Sequence, residues 1–403
     1  MLFTLEALNA GEGDCLLLTY GTAEAPHFVL IDGGPGRICQ QTLLPRVNQI
    51  RTQLGYEDDK PLPIDLCVVT HVDEDHVEGI VKLFQLLRSA KQEPVAAPVH
   101  IKELWHNSFD DVLSTNQAKE AIDYLNALPD PNEETRGVTA SIGQGKELRD
   151  ISRLLDIPTN LGFKGLVARP DDAGAVVDCG KNLVFTVIGP NKKQLLDYQK
   201  KWDQTLSATG NTTASTSAGS NPFNLASIAM LAEMKGTKSP ITDRPLSMLL
   251  TGDANGDELV EGLKAAGKLA PDATLTVDLI KLAHHGSNAD MKRPFFERVL
   301  APIYVVSANG KNKNPDAQTL DDLAEARGNV PYKLVCTFEE AAYKKVKGDK
   351  KADDERREAL KYVEKWAAEH PNVTVIYRPA NAYSIPIALG DEHLDDQVHV
   401  SLN

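Results

Sequence analysis

The sequence predicts a mixed α/β fold, α+β under some classification schemes, and three observations carry that expectation. Short apolar runs of strand length alternate with stretches of helical periodicity over most of the 403 residues. Polar clusters follow directly on several of the apolar runs, where a strand hands over to a turn. Apolar residues make up 42% of the chain and charged residues 25%, a balance that excludes wholesale disorder.

The elements follow in chain order. FTLEALNA, CLLLTY and FVLID are short runs rich in apolar residues, separated by the turn-forming GEGD and closed by GGPG. Residues 39 to 55 suit a helix, and Ile64 to Thr70 a buried strand. That strand ends in THVDEDH, after which VEGIVKLFQLLRSA repeats apolar residues at helical spacing. Helices are expected near 116 to 127 and 145 to 155, and a strand, NLVFTVIGP, ends at Pro190. Ser207 to Asn221 is rich in Ser, Thr and Gly, too polar to pack, and reads as a solvated loop. Beyond it LASIAMLAEM, SMLLTGD, VDLIKLAHHGS and APIYVVSANG are strand candidates ending in polar residues, and NGDELVEGLKAAG is helical. Residues 338 to 369 are highly charged and mostly helical, with an apolar stripe of Leu360, Val363 and Trp366.

Bulk properties narrow the function classes. No run approaches 18 consecutive apolar residues, so no membrane segment is expected. The opening MLFTLEALNAGEGD lacks a basic region, apolar core and small-residue cleavage site. Five cysteines, Cys15, Cys39, Cys67, Cys179 and Cys336, show no CxxC spacing, which argues against a disulfide framework and a cysteine zinc site. The expected compartment is therefore a reducing cytoplasm. A net charge of −14 repels nucleic acid in bulk, so a polynucleotide substrate would need a local basic groove or bound metal ions.

The densest chemistry is His71-Val-Asp73-Glu-Asp75-His76, between an apolar strand and a helix. Imidazoles with carboxylates at a strand end suit zinc, manganese or iron, and a cluster this dense can serve two adjacent ions. The plainer alternative is an acidic turn in which Asp75 caps the helix. Two further clusters follow strands: Thr251-Gly252-Asp253, and His284-His285-Gly286-Ser287. No GxSxG elbow, P-loop or GxGxxG opening a helix occurs, so serine-hydrolase and nucleotide-driven chemistry are not supported.

The order HxDxDH, TGD, HHGS resembles the metallo-β-lactamase superfamily, and within it the hydrolase domain of ComEC-type DNA-uptake proteins and their soluble relatives. Gly11-Glu12-Gly13-Asp14 resembles that branch's opening GxGD turn, FVLIDGGPG its strand ending in Asp32, and Asn224 with Ser227 its NxSS/NxSL element. SANGKNKNPDAQTL resembles a late motif that usually reads NxxxHPxxxTL. The resemblance implies a four-layer αββα sandwich over residues 1–337, with 338–403 as a charged helical extension carrying short terminal strands and packed on the same domain.

It also implies roles. His71, Asp73 and Asn224 would hold a first divalent ion, and Asp75, His76 and His285 a second, zinc or manganese, with Asp253 bridging. Asp75, Asp253 and His284 would take part in catalysis, His284 as a proton donor or substrate contact. Asp32 would orient a ligand histidine and Ser287 would bind a substrate oxygen. Apart from the resemblance, His106 in LWHNS follows a strand and reads as lining the cleft or packing beside Trp105, with an alternative first-site ligand as the other reading. Three departures stand out: Asp73 replaces the second histidine of the commoner HxHxDH, Asn224 stands where the superfamily carries a third-motif histidine, as is usual in the ComEC-type branch, and Asn314 stands where the late motif carries histidine. The harder first site tilts the choice of ion toward manganese. The implied function is a metal-dependent hydrolase using a metal-bridged hydroxide, first a phosphodiesterase or nuclease acting on nucleic acid or a nucleotide. An ester, lactone or β-lactam hydrolase is the second reading, and a non-catalytic, metal-stabilised partner protein the third. Lys292, Arg293, Lys311 and Lys313 are candidates for a local basic rim.

Overall fold

The computed structural model describes residues 1–93, 95–108, 133–163, 165–196, 224–343, 350–394 and 399–402, and for 133–142 and 225 the backbone alone. The helix expected near 116 to 127 and the loop from 207 to 221 lie outside the described residues.

Two large sheets dominate a mixed α/β architecture. The first has seven strands in the order Val400–Ser401, Ser384–Ala388, Leu2–Leu8, Leu16–Gly21, Pro26–Ile31, Leu66–Val69 and Leu104–His106. The second has eight, in the order Val373–Tyr377, Tyr332–Cys336, Ile303–Val306, Leu279–Lys281, Leu246–Leu250, Ala229–Met234, Leu183–Gly189 and Ala175–Gly180. Strands from both ends of the chain share the first sheet: Thr4 pairs with Ala388 and Leu8 with Ser384. Residues beyond 337 contribute strands to both sheets, and Leu360, Val363 and Trp366 are buried as the stripe predicts.

Alternation along the strands explains their continuous apolar character. Leu16, Leu18, Val29, Ile31, Leu66 and Val68 share one core cluster with Met230, Ala232, Met248, Leu250, Leu279 and Ile303 of the second sheet. The alternate residues Leu17, Phe28, Leu30, Cys67 and Val69 pack instead against Val47, Ile50, Ile80, Phe84 and Leu87 of the helices Leu44–Gln53 and Glu74–Gln92. On the second sheet Leu231, Leu249, Ile280 and Tyr304 meet Leu259, Phe295, Leu320 and Trp366, again from helices. A strand covered on both faces reads as an unbroken apolar run, and each fully buried Leu or Phe contributes about 1.5–3 kcal/mol.

Strand direction positions the site. Pro26–Ile31, Leu66–Val69 and Leu104–His106 run parallel, so Asp32, His71 and His106 leave the first sheet at one edge. Leu246–Leu250, Leu279–Lys281 and Ile303–Val306 also run parallel, which brings Asp253, His284, His285 and Ser307 to the carboxyl edge of the second. No helix among the described residues is long and apolar enough to cross a membrane.

Candidate metal centre

The turn Gly11–Asp14 docks against the start of the helix Glu74–Gln92. Asp14 N–H donates to the Asp75 carbonyl at 3.1 Å. A Cβ on Gly13 would lie 1.9 Å from that same carbonyl oxygen, so only glycine fits there. At the site Asp32 at φ 56°, His284 at 48° and His285 at 57° carry left-handed backbone. Such conformations are unfavourable for a β-substituted residue and gather at sites whose surroundings hold them in place.

The imidazoles are oriented from behind. His76 Nδ1 donates to Asp32 Oδ2 at 2.8 Å, and that carboxylate also accepts from Thr70 N–H at 2.8 Å and Thr70 Oγ1 at 2.7 Å. Thr70 Oγ1 lies 3.1 Å from His71 Nδ1 and, its own proton committed to Asp32, accepts from it. His285 Nδ1 donates to the Ser307 carbonyl at 2.9 Å. These partners fix the tautomers, leaving each Nε2 as a lone pair aimed inward.

The inward atoms converge. His76 Nε2 lies 3.3 Å from His285 Nε2 and 3.3 Å from Asp253 Oδ1. His285 Nε2 is 3.3 Å from Asp75 Oδ2. His71 Nε2 lies 3.6 Å from Asp73 Oδ2 and 3.7 Å from Asp253 Oδ2. Asp253, 2% exposed, thus turns Oδ1 to His76 and Oδ2 both to His71 and, at 3.9 Å, to His285; among the described residues its Oδ1 and the His71 Nε2 have no hydrogen-bond partner. Facing lone pairs on imidazoles and carboxylates repel unless a cation lies among them. Protons can be that cation. Burial disfavours charge on Asp253, but His76, His284 and His285 outweigh it and hold its carboxyl well below the usual range. Burial likewise opposes charge on His285, yet Asp253 and Asp14 raise it to about 10. A divalent ion satisfies the same acceptors by displacing those protons, so the donor set fits a metal.

Among the described residues two groups of three could hold an ion, His71–His76–Asp253 and Asp14–His76–His285, the ligand atoms of each within 4.8 Å of one another. In the second, Asp14 Oδ1 approaches His285 Nδ1 at 3.5 Å, the nitrogen already donating to Ser307. Asp14 therefore backs the ring. Its other oxygen accepts from buried Lys281 at 2.6 Å. Burial pushes Asp14 up and Lys281 brings it down to about 2. Neither Asp14 nor Lys281 has a role in the expected ligand set; the GEGD turn is the available signal for the first, and Lys281 is hidden in an apolar strand.

The other expected site residues are placed as follows. His284 is 27% exposed at the rim, with Nδ1 on Asp290 Oδ2 at 2.5 Å and Nε2 3.9 Å from Asp253 Oδ2. Asn224 Nδ2 lies 3.2 Å from His284 Nδ1, and its Oδ1 is buried without a hydrogen-bond partner. Asn314 donates to the His284 carbonyl at 3.3 Å and so supports that turn. Ser287 Oγ accepts from Ala289 N–H at 3.3 Å. His106 is buried, with Nε2 3.2 Å from the Gly145 carbonyl, and belongs to neither group of three. The basic rim is weaker than expected: Arg293 pairs with Glu297 and Glu325, Lys311 approaches Glu12 and Lys313 approaches Glu355, each lysine at 3.9 Å.

No protein-family model matches the sequence, and no curated protein matches it.

Proposed function

We propose that this chain is a metal-dependent phosphodiesterase, in the first place a nuclease, built as a four-layer αββα sandwich of the metallo-β-lactamase kind. The observation that carries the proposal is the convergence of His71, His76, His285, Asp75 and Asp253, from three distant chain segments, into a set of inward-facing acceptors. The shared core between the two sheets, with helices packed on their outer faces, supports the sandwich.

In this reading His71, Asp73 and Asn224 would hold one ion and Asp75, His76 and His285 the other, with Asp253 shared between them. Two divalent ions, zinc or manganese, would supply Lewis acidity toward phosphoryl oxygens and a nucleophile at neutral pH. Asp32, Thr70 and the Ser307 carbonyl keep the three imidazoles in the ligating tautomer. Asp73 adds an oxygen donor and a negative charge beside His71, favouring harder ions and phosphate over softer all-histidine chemistry. His284, steadied by Asp290, would pass a proton at Nε2 to the leaving oxygen. Ser287 retains its hydroxyl proton for a substrate oxygen.

The test is hydrolysis of single-stranded DNA, duplex DNA, RNA, cyclic dinucleotides, bis-p-nitrophenyl phosphate and nitrocefin, with Asp75→Ala as control. Phosphodiester cleavage that requires Mn²⁺ or Zn²⁺ and disappears with chelator and in Asp75→Ala is the expected result. Efficient nitrocefin turnover with no phosphodiester cleaved under either metal would overturn the proposal.

A further inference from the structure

Resting on that phosphodiesterase reading, we propose that the substrate is a nucleic-acid strand whose phosphates beyond the cleavage point lie in a cationic groove along the helix Glu74–Gln92. This helix supplies Asp75 and His76 to the metal centre, and residues three and four apart share a helix face. Asp75, Glu78, Lys82, Gln85 and Ser89 therefore form one row leading away from the centre. Beside that row lies a groove of about 540 Å³, closed on its other side by Gly36, Arg37 and Gln40.

Among the described residues three cations and one carboxylate line it. The carboxylate, Glu78, is occupied by the Gly36 N–H at 2.7 Å, and Arg37 is paired with Glu12. Lys82 and Arg88 are different: among the described residues no carboxylate pairs with either. At 1.5 Å per residue they stand about 10 Å and about 20 Å along the helix from Asp75. A mononucleotide or cyclic dinucleotide at the centre cannot reach both, whereas a strand of several nucleotides can. Among the described residues the groove has no aromatic lining, so they offer charge to phosphates and no stacking platform for bases. On a surface of net charge −14 a local pair of unneutralised cations also sets the direction in which a strand lies.

The experiment uses the full chain loaded with Mn²⁺ and the double variant Lys82→Glu/Arg88→Glu. Two substrates are compared: a single-stranded oligonucleotide of about a dozen nucleotides, and bis-p-nitrophenyl phosphate, too short to enter the groove. We expect kcat/KM for the oligonucleotide to fall at least about tenfold, and its dependence on log salt to flatten by about 1.4, from roughly 0.7 per lost phosphate contact. Bis-p-nitrophenyl phosphate hydrolysis should change less than about twofold, since the variant leaves the centre untouched. Equal loss on both substrates, or no loss on the oligonucleotide, overturns the groove while leaving the phosphodiesterase reading standing. If the unmodified protein hydrolyses neither substrate, that reading fails and the groove is judged by fluorescence anisotropy of the labelled oligonucleotide. Binding weakened about tenfold by the double variant then supports the groove, and unchanged binding overturns it.

Discussion

If the proposed metal centre is right, replacing Asp32 by asparagine should weaken metal binding without touching a proposed ligand. Asp32 is 1% exposed, and its Oδ2 accepts from both His76 Nδ1 and Thr70 Oγ1, while Oδ1 accepts from Thr70 N–H. An amide keeps one acceptor oxygen. If that oxygen stays on Thr70 N–H, the new NH2 group confronts two donors, and His76 must move its proton to Nε2 or turn away. Thr70 Oγ1 then accepts from the introduced amide and loses the geometry in which it holds His71, so the change reaches a second imidazole. Partners of this kind are worth about 10–100-fold in metal affinity, or about 1.4–2.7 kcal/mol. Calorimetric titration of the metal-free protein with Mn²⁺ or Zn²⁺ should show that loss for Asp32→Asn, and a circular dichroism spectrum should remain unchanged. Affinity within about threefold of the unmodified protein, with the fold intact, would refute the claim that Asp32 fixes the His76 tautomer.

Other changes have separate readouts. Asp253→Ala should deplete both ions, from about two per chain, because its two oxygens face both sets; undiminished metal by elemental analysis together with normal activity would show that it bridges nothing. Gly13→Ala forces a Cβ against the Asp75 carbonyl and should cost about 1–3 kcal/mol in urea unfolding, with metal content falling alongside. Asp65, 18% exposed, accepts from Lys102 and His27 at 2.5 and 2.6 Å; burial pushes its carboxyl up, but these partners lower it overall. A depressed carboxylate stabilises the fold above its unfolded pKa near 4 and loses that contribution as pH falls through the folded value. Asp65→Asn should therefore cost about 1 kcal/mol at pH 7 and almost nothing near pH 2, and an equal cost at both values would contradict the ion-pair account.

Much of the candidate site was legible because its proposed ligands follow apolar strands at short range. The run ending at Val69 hands directly to His71 through His76, that ending at Leu250 to Asp253, and that ending at Lys281 to His284 and His285. The helix Glu74–Gln92 was likewise visible, since Val77, Ile80, Phe84 and Leu87 repeat at the spacing that buries one face. Periodicity records that a face is buried and leaves open what covers it. The pairing of Leu2–Leu8 with Ser384–Ala388 joins residues near the two ends of the chain, and no local pattern encodes such a partner. Lys281 meets Asp14 across 267 residues, and inside an apolar strand its sequence context gives no hint of a buried ion pair. Residue types and strand ends determined which side chains could serve a metal. Parallel strand direction, the stacking of two sheets and the docking of Gly13 on Asp75 decided that they meet, because convergence depends on distances between segments rather than on order along any one of them. The groove beside Lys82 and Arg88 belongs wholly to the tertiary structure: its second wall comes from Gly36, Arg37 and Gln40, and only packing sets that wall against the helix.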